Sequence, residues 1–195
     1  MKLKGDIDID FGSRDALLKL IAHTPAAMRK INPIRKHATG VYITDIPYDP
    51  INDMAAIDYA EAEDRGYFKL DLLNVYVYSQ VKNEQHLISL MREPNWNLLL
   101  DRKFVEKLVH LNNHYQSIKR MPEPINSIPR LAMFLALIRP SKKHLIGESW
   151  QEVAKTVWDK EDDGYSFKRS HSCAYANLVC VHMNLLEEQN VPVST

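Results

Sequence analysis

Glycine is scarce in this sequence, six residues in 195, against ten prolines. With no repeat or low-complexity tract either, long flexible linkers are excluded. Only two cysteines occur, Cys173 and Cys180, and neither belongs to a CxxC pair. That excludes a disulfide scaffold and reads as buried thiols in a reducing compartment. No apolar run approaches the roughly 18 residues that a membrane span requires. The opening Met1-Lys2-Leu3-Lys4 leads into acidic, strand-like sequence, so no secretory leader and no membrane partner are expected, and the expected location is the cytoplasm. Net charge is lacking too, since 25 basic and 25 acidic residues cancel. Wholesale attraction to a polyanion is thereby excluded, and any such binding must be local.

What is present is an ordinary globular composition, 45% hydrophobic and 26% charged, in a chain long enough to bury roughly 70% of its unfolded surface without staples. The charges are segregated. Seven acidic residues and no Lys or Arg lie between Asp45 and Asp64, just after the basic run Arg29, Lys30, Arg35, Lys36 and His37. Further basic groups stand at Arg102, Lys103 and Lys107, at Arg139, Lys142 and Lys143, and at Lys168 and Arg169. Singly each reads as a solvated face; together they permit a divided surface.

From Leu3 to Phe11 the pattern alternates, with Leu3, Ile7, Ile9 and Phe11 on one face and Asp6, Asp8 and Asp10 on the other, which predicts a strand with one core face. Ser13 is placed to cap a helix carrying Leu17, Leu18, Leu20 and Ile21. Strands are expected at 40–44 and 67–72, and helix over most of 74–91. Beyond Asn95 helices are expected at 98–118, 127–138, 149–158 and 169–189. Trp150 and Trp158 share a face of one of these and read as core. The fold class expected is α+β: a small mixed sheet in residues 1–80, then a mainly helical part over 81–195.

The chemistry concentrates in carboxylates. Asp6, Asp8 and Asp10 at i, i+2 and i+4 repel one another unless a cation sits there, and a divalent metal is its natural occupant; the plainer reading is an acidic edge face. Asp71, in the apolar segment Lys69-Leu70-Asp71, needs a partner and could complete a metal triad from a neighbouring strand. Lys69 is expected on the opposite face of that strand. Basic residues around Lys168, Arg169 and His171, at the start of a helix, oppose its dipole and suit a phosphate. His110 and His114 have zinc spacing but lack the accompanying carboxylate motif.

Taken in order, these segments resemble the catalytic core of the bacterial C-family replicative DNA polymerases, the α subunit of DNA polymerase III. Gly5-Asp6-Ile7-Asp8-Ile9-Asp10-Phe11 resembles the family's Pro-Asp-x-Asp-x-Asp-Phe palm motif, and Lys36-His37-Ala38-Thr39-Gly40-Val41-Tyr42-Ile43 its His-Ala-Gly-Gly-Val-Val-Ile segment. Lys69-Leu70-Asp71-Leu72-Leu73-Asn74 is similar to Lys-Phe-Asp-Phe-Leu-Gly, Leu135-Ala136-Leu137-Ile138-Arg139-Pro140 to the fingers motif ending Tyr-Arg-Pro-Gly-Pro, and residues 167–176 to Phe-Asn-Lys-Ser-His-Ala-Ala-Ala-Tyr-Ala. The resemblance implies a nucleotidyltransferase-palm-like sheet followed by a fingers-like half. It implies a catalytic and metal-binding triad of Asp6, Asp8 and Asp71, with Asp10 at a less strictly acidic position and Mg²⁺ or Mn²⁺ as cofactor. It also implies nucleotide or phosphate contacts from Lys69, Arg139, Lys168, Arg169 and His171, and two-metal nucleotidyl transfer on primer–template DNA with a dNTP.

The departures define a strongly truncated, phage-like form, which would work in a bacterial host cell. The family's phosphate-cradling Gly-Arg-Gly-Ser-type turn has no counterpart, the chain beginning five residues before Asp6, and Ser141 and Asn74 replace family glycines. Two readings follow: a minimal polymerase, active alone or only with a partner or through self-association, and a non-catalytic accessory protein that binds DNA, nucleotide or a replisome partner. A structural or host-directed protein that merely kept the fold is the third.

Overall fold

The computed structural model describes residues 6–28, 34–159 and 167–190. The chain divides into two compact units, Met1–Gln80 and Val81–Thr195. Both are mixed or helical in the way an α+β chain requires, and no helix among the described residues is long and apolar enough to cross a membrane.

In the first unit, β1 (Asp6–Phe11) runs into the helical turn α1 (Arg14–Leu18). Ser13 caps α1 as expected, its Oγ accepting the Ala16 N–H at 3.3 Å. β2 (Thr24–Ala27), β3 (Lys36–Tyr42), the short hairpin β4 (Tyr48–Asp49) and β5 (Met54–Ala55), α2 (Tyr59–Asp64), β6 (Lys69–Asn74) and the single turn α3 (Tyr76–Ser79) follow. The larger sheet has the order β1-β6-β3-β2, with β1 parallel to β6 and the other pairs antiparallel. A parallel pair needs a long crossover; here everything between Gly12 and Phe68 forms it. Asn74 closes the crossover at its other end, its Oδ1 accepting the Arg14 N–H at 2.6 Å, one of the orphan donors of α1.

The acidic stretch does local structural work. Asp58 caps α2 through the Ala60 and Glu61 N–H groups, both at 2.9 Å. Asp49 accepts from Ile51 and Asn52 in an Asx turn. Asp53, at φ 51°, takes the Lys36 ammonium at 2.8 Å and the Tyr48 hydroxyl at 2.6 Å, and these bonds hold its carboxyl below the usual range. Part of the charge segregation in the sequence is thus one ion pair between the basic and acidic runs. Arg29 and Lys30 lie outside the described residues.

Ala26, Tyr42, Ile46, Ala55 and Ala62 form a small core. Tyr42 is 1% exposed, and its hydroxyl has no hydrogen-bond partner among the described residues. Burial, then the charges of Asp58, Asp71 and Glu63, push the phenol up to about 12. Because the folded state holds this proton more tightly than the unfolded chain, stability is full below pH 10 and falls as pH climbs toward 12. Tyr42→Phe removes an unsatisfied buried hydroxyl. It is expected to leave stability at pH 7 unchanged or raise it by up to about 1 kcal/mol, and to flatten the loss above pH 10 in urea titrations. A loss of 2 kcal/mol or more at pH 7 would mean the hydroxyl is bonded.

The second unit holds α4 (Glu84–Leu90), α5 (Arg102–Val105), α6 (Tyr115–Arg120), α7 (Ile128–Leu137), α8 (Trp150–Thr156) and α9 (Arg169–Asn190), with 3-10 turns at Trp96–Leu100 and Pro140–Leu145. Its core gathers around α7 and α9, which pack against each other. Trp150 is buried in it and Trp158 packs at its margin, past the end of α8. Two buried polar side chains finish helices instead of disrupting the core. Asn184 donates to the Leu90 and Arg92 carbonyls at 2.8 Å, capping α4, and the 1% exposed Lys142 donates to the Thr156 carbonyl at 2.9 Å, at the last turn of α8.

Two expectations need correction. The stretch 98–118 is not one helix: Asp101 starts α5 by accepting the Lys103 N–H at 2.8 Å, and His110 turns the chain at φ 62°. The stretch 74–91 is two short helices, because β6 extends to Asn74 and Asn83 caps a fresh start at α4, accepting the His86 N–H at 2.9 Å.

Candidate functional site

The parallel register of β1 and β6 pairs Asp6 with Lys69, Asp8 with Asp71 and Asp10 with Leu73. Register partners on adjacent strands stand about 4.8 Å apart and project to the same face. Asp8 and Asp71 therefore share one face of the sheet. Asp8 lies exposed on the edge strand, whereas Asp71 is 6% exposed. Asp6 occupies the first position of β1; its side chain lies outside the described part of the structure. Asp10 stands near Tyr78 of α3, whose hydroxyl is pushed up by burial and then by the Asp10 charge.

The placement of Lys69 reverses the expectation. A strand has period two, so positions 69 and 71 lie on the same face, and the Lys69 ammonium is ion-paired with Asp71 Oδ2. It also stands 5.7 Å from the centre of the Tyr59 ring. The lysine stem passes over Gly40, the register partner of Asp71 on β3. A Cβ at position 40 would come within 2.8 Å of Lys69 Cδ and 3.0 Å of His37 Nδ1, so a larger residue there would push the lysine stem aside.

Two further residues at Asp71 were not singled out by sequence reasoning. Thr39 Oγ1 donates to Asp71 Oδ1 at 2.7 Å, and His37 Nδ1 lies 3.5 Å from the same oxygen. In a regular β3 Thr39 would face away. The strand is bulged: from Pro25↔Val41 to Ala27↔Lys36, β2 advances two residues and β3 five, and a bulge re-aims side chains in this way. His37 fixes the bulge, its Nδ1 accepting the Gly40 N–H at 2.9 Å and the Thr39 N–H at 3.3 Å. Accepting those bonds requires a ring proton on Nε2, so the approach of Nδ1 to Asp71 is not a donated bond. The available signal in the sequence was Gly40 itself, one of only six glycines, set inside a strand.

Both Asp71 oxygens thus accept from within the chain, one from a hydroxyl and one from an ammonium. Asp8 and Asp71 are the hard oxygen donors of the kind Mg²⁺ takes, and pairing across one strand gap suits a shared ion. Among the described residues no group of three or more His, Cys, Asp or Glu side chains is arranged to hold a metal; the backbone of Asp6 stands at the register position beside Lys69.

The second unit brings another set together. The Arg139 guanidinium lies 3.6 Å from the centre of the Phe167 ring, Phe167 stacks on Tyr175 at 5.6 Å, and Tyr175 meets His110 at 4.4 Å. Burial and the Arg139 charge lower the pKa of His110 and of His114. These histidines stay neutral at pH 7, and they flank a turn and not a zinc-bearing helix face. Arg169, at the start of α9, is 6.0 Å over Trp158. Lys168 and Arg169 are exposed and His171 half-buried. Residues 160–166, including the Gly164-Tyr165-Ser166 that begins the basic motif, lie outside the described residues. Cys180 is buried, its thiol pushed up to about 12 by burial and then by Glu93, while Cys173 is exposed.

Comparison with known proteins finds no matching family model, no matching curated protein and no matching solved structure.

Proposed function

We propose that this chain carries out metal-dependent nucleotidyl transfer on primer–template DNA, with Asp6, Asp8 and Asp71 as the carboxylate set and Mg²⁺ or Mn²⁺ as cofactor. One observation carries the reading: Asp8 and Asp71, 63 positions apart in sequence, are register partners on adjacent parallel strands and face the same way. That arrangement has no value for stability in itself, since like charges placed opposite one another on a sheet repel. It does provide paired oxygen donors.

Asp8, exposed on the edge strand, is the member that a ligand from solvent meets first. Asp71 is the anchored member, oriented by Thr39 from the β3 bulge. Lys69 supplies the nearest positive charge for a phosphate oxygen. When bound, the metal ions would lower the pKa of the primer hydroxyl and neutralise the triphosphate. Arg139, Lys168, Arg169 and His171 are assigned to the incoming nucleotide by the same reading. Within the second unit Arg139 and the aromatic pair Phe167 and Tyr175 form a cation–aromatic stack suited to holding a planar group and a phosphate.

The accessory reading is favoured by a different observation: both Asp71 oxygens are already satisfied without metal. The discriminating experiment is extension of a labelled primer on a DNA template with Mg²⁺ or Mn²⁺, comparing the full chain with Asp8→Asn purified identically. Extension by the wild type and its loss in Asp8→Asn is the expected result. No extension by the wild type, with DNA or nucleotide binding retained, would transfer the protein to the accessory reading.

A further inference from the structure

Asp71 is the most deeply buried carboxylate of the described residues, and it would be unstable alone. Its two oxygens are treated differently. Oδ1 takes the Thr39 hydroxyl, a bond that a metal on the other oxygen leaves intact. Oδ2 takes the Lys69 ammonium, a full charge occupying the place a divalent ion would occupy. The lysine is held there by more than the carboxylate: its stem runs over Gly40, its ammonium stands by the Tyr59 ring, and only 14% of its side chain is exposed. Thr39 belongs to this chain in particular, since the family segment it resembles has glycine there.

We propose that Lys69 is the resident counter-cation of Asp71, a positioning residue that a divalent metal must displace from Oδ2, while Thr39 keeps Oδ1 in place during the exchange. The inference rests on the metal-binding reading above and makes it more specific. The metal-free chain is a closed state in which Lys69 neutralises the site; the loaded state returns the ammonium to a position where it meets a phosphate instead. Two cations cannot share Oδ2 without strong repulsion, so removing the lysine charge must favour the metal.

Mn²⁺ titration of the full chain, followed by the electron paramagnetic resonance signal of the free ion, tests this without reference to activity. Lys69→Gln keeps an N–H donor for Asp71 and deletes the charge; it is expected to tighten Mn²⁺ at least about tenfold. Lys69→Arg, which keeps the charge, is expected to remain within about threefold of wild type. Asp71→Asn removes the displaced ligand and is expected to abolish the gain when combined with Lys69→Gln. Far-UV circular dichroism and thermal melts confirm that the variants compared are folded. If wild type binds Mn²⁺ and Lys69→Gln binds it no more tightly, the displacement is wrong and the metal site survives. If no folded variant binds Mn²⁺, both fail.

Discussion

Phe134→Ala is expected to destabilise the unit Val81–Thr195 by about 3–5 kcal/mol, the range for truncating a large aromatic in a packed core. Phe134 has no exposed surface, and it lies on α7 among Leu131, Ala132, Leu135, Ala136 and Leu137, all buried. Six buried positions in a ten-residue helix mean that α7 is wrapped on nearly every side, so the cavity has little freedom to collapse. Domains of this size have about 5–15 kcal/mol in total; the variant would lose a large part of that. Ile88, on α4 and 62% exposed, is the control: Ile88→Ala should stay within about 0.5 kcal/mol. Native-state hydrogen exchange reads the second unit's amides separately from those of the first. A loss below about 1 kcal/mol for Phe134→Ala would remove α7 from the centre of this core.

The legibility of that helix and the illegibility of others have the same cause. Ser127 caps α7, Pro129 sits in its first turn, and the apolar residues behind them have no competing punctuation, so the expected 127–138 and the observed Ile128–Leu137 agree. Residues 98–118 have a comparable apolar content, but Asp101 and the Asn112-Asn113 pair interrupt it. There the Asp101 backbone N–H closes the 3-10 turn on the Leu98 carbonyl while its side-chain oxygen starts α5, and the left-handed His110 reverses the chain. Strand β2 escaped notice because Thr24-Pro25-Ala26-Ala27 is short and carries a proline. It is an edge strand, the place where proline is tolerated in a sheet. At the site, the alternation of Asp6, Asp8 and Asp10 made the β1 face readable, and Asp71 stood out as a carboxylate in an apolar run. The pairing of Asp8 with Asp71 is a matter of register over a long crossover, which no local pattern encodes. The Thr39 contact depends on a three-residue bulge, a departure from period two that is invisible until the strands are paired.

Asp71→Ala is expected to cost the first unit about 3 kcal/mol, at the lower end of what breaking a buried ion pair costs. The effect has two parts. Lys69, 14% exposed, loses the carboxylate that neutralises it, and the Thr39 hydroxyl loses its acceptor at 2.7 Å. Asp8, the register partner across the strand gap, moderates the loss by remaining within the field of the ammonium. Asp71→Asn keeps an oxygen for Thr39 and the shape of the side chain, so it should cost about half as much. The decisive variant is the double one. Lys69→Met with Asp71→Leu replaces the pair by apolar groups of similar size, and such replacements are often neutral or stabilising. The double variant should therefore recover about 2 kcal/mol or more of what Asp71→Ala loses, in urea unfolding of the metal-free chain. That recovery would mean the carboxylate and the lysine are not there for stability, which leaves a ligand as the reason for a charged pair at this position. A double variant as unstable as Asp71→Ala would instead make the pair a structural element of the sheet, and with it Thr39 and the β3 bulge.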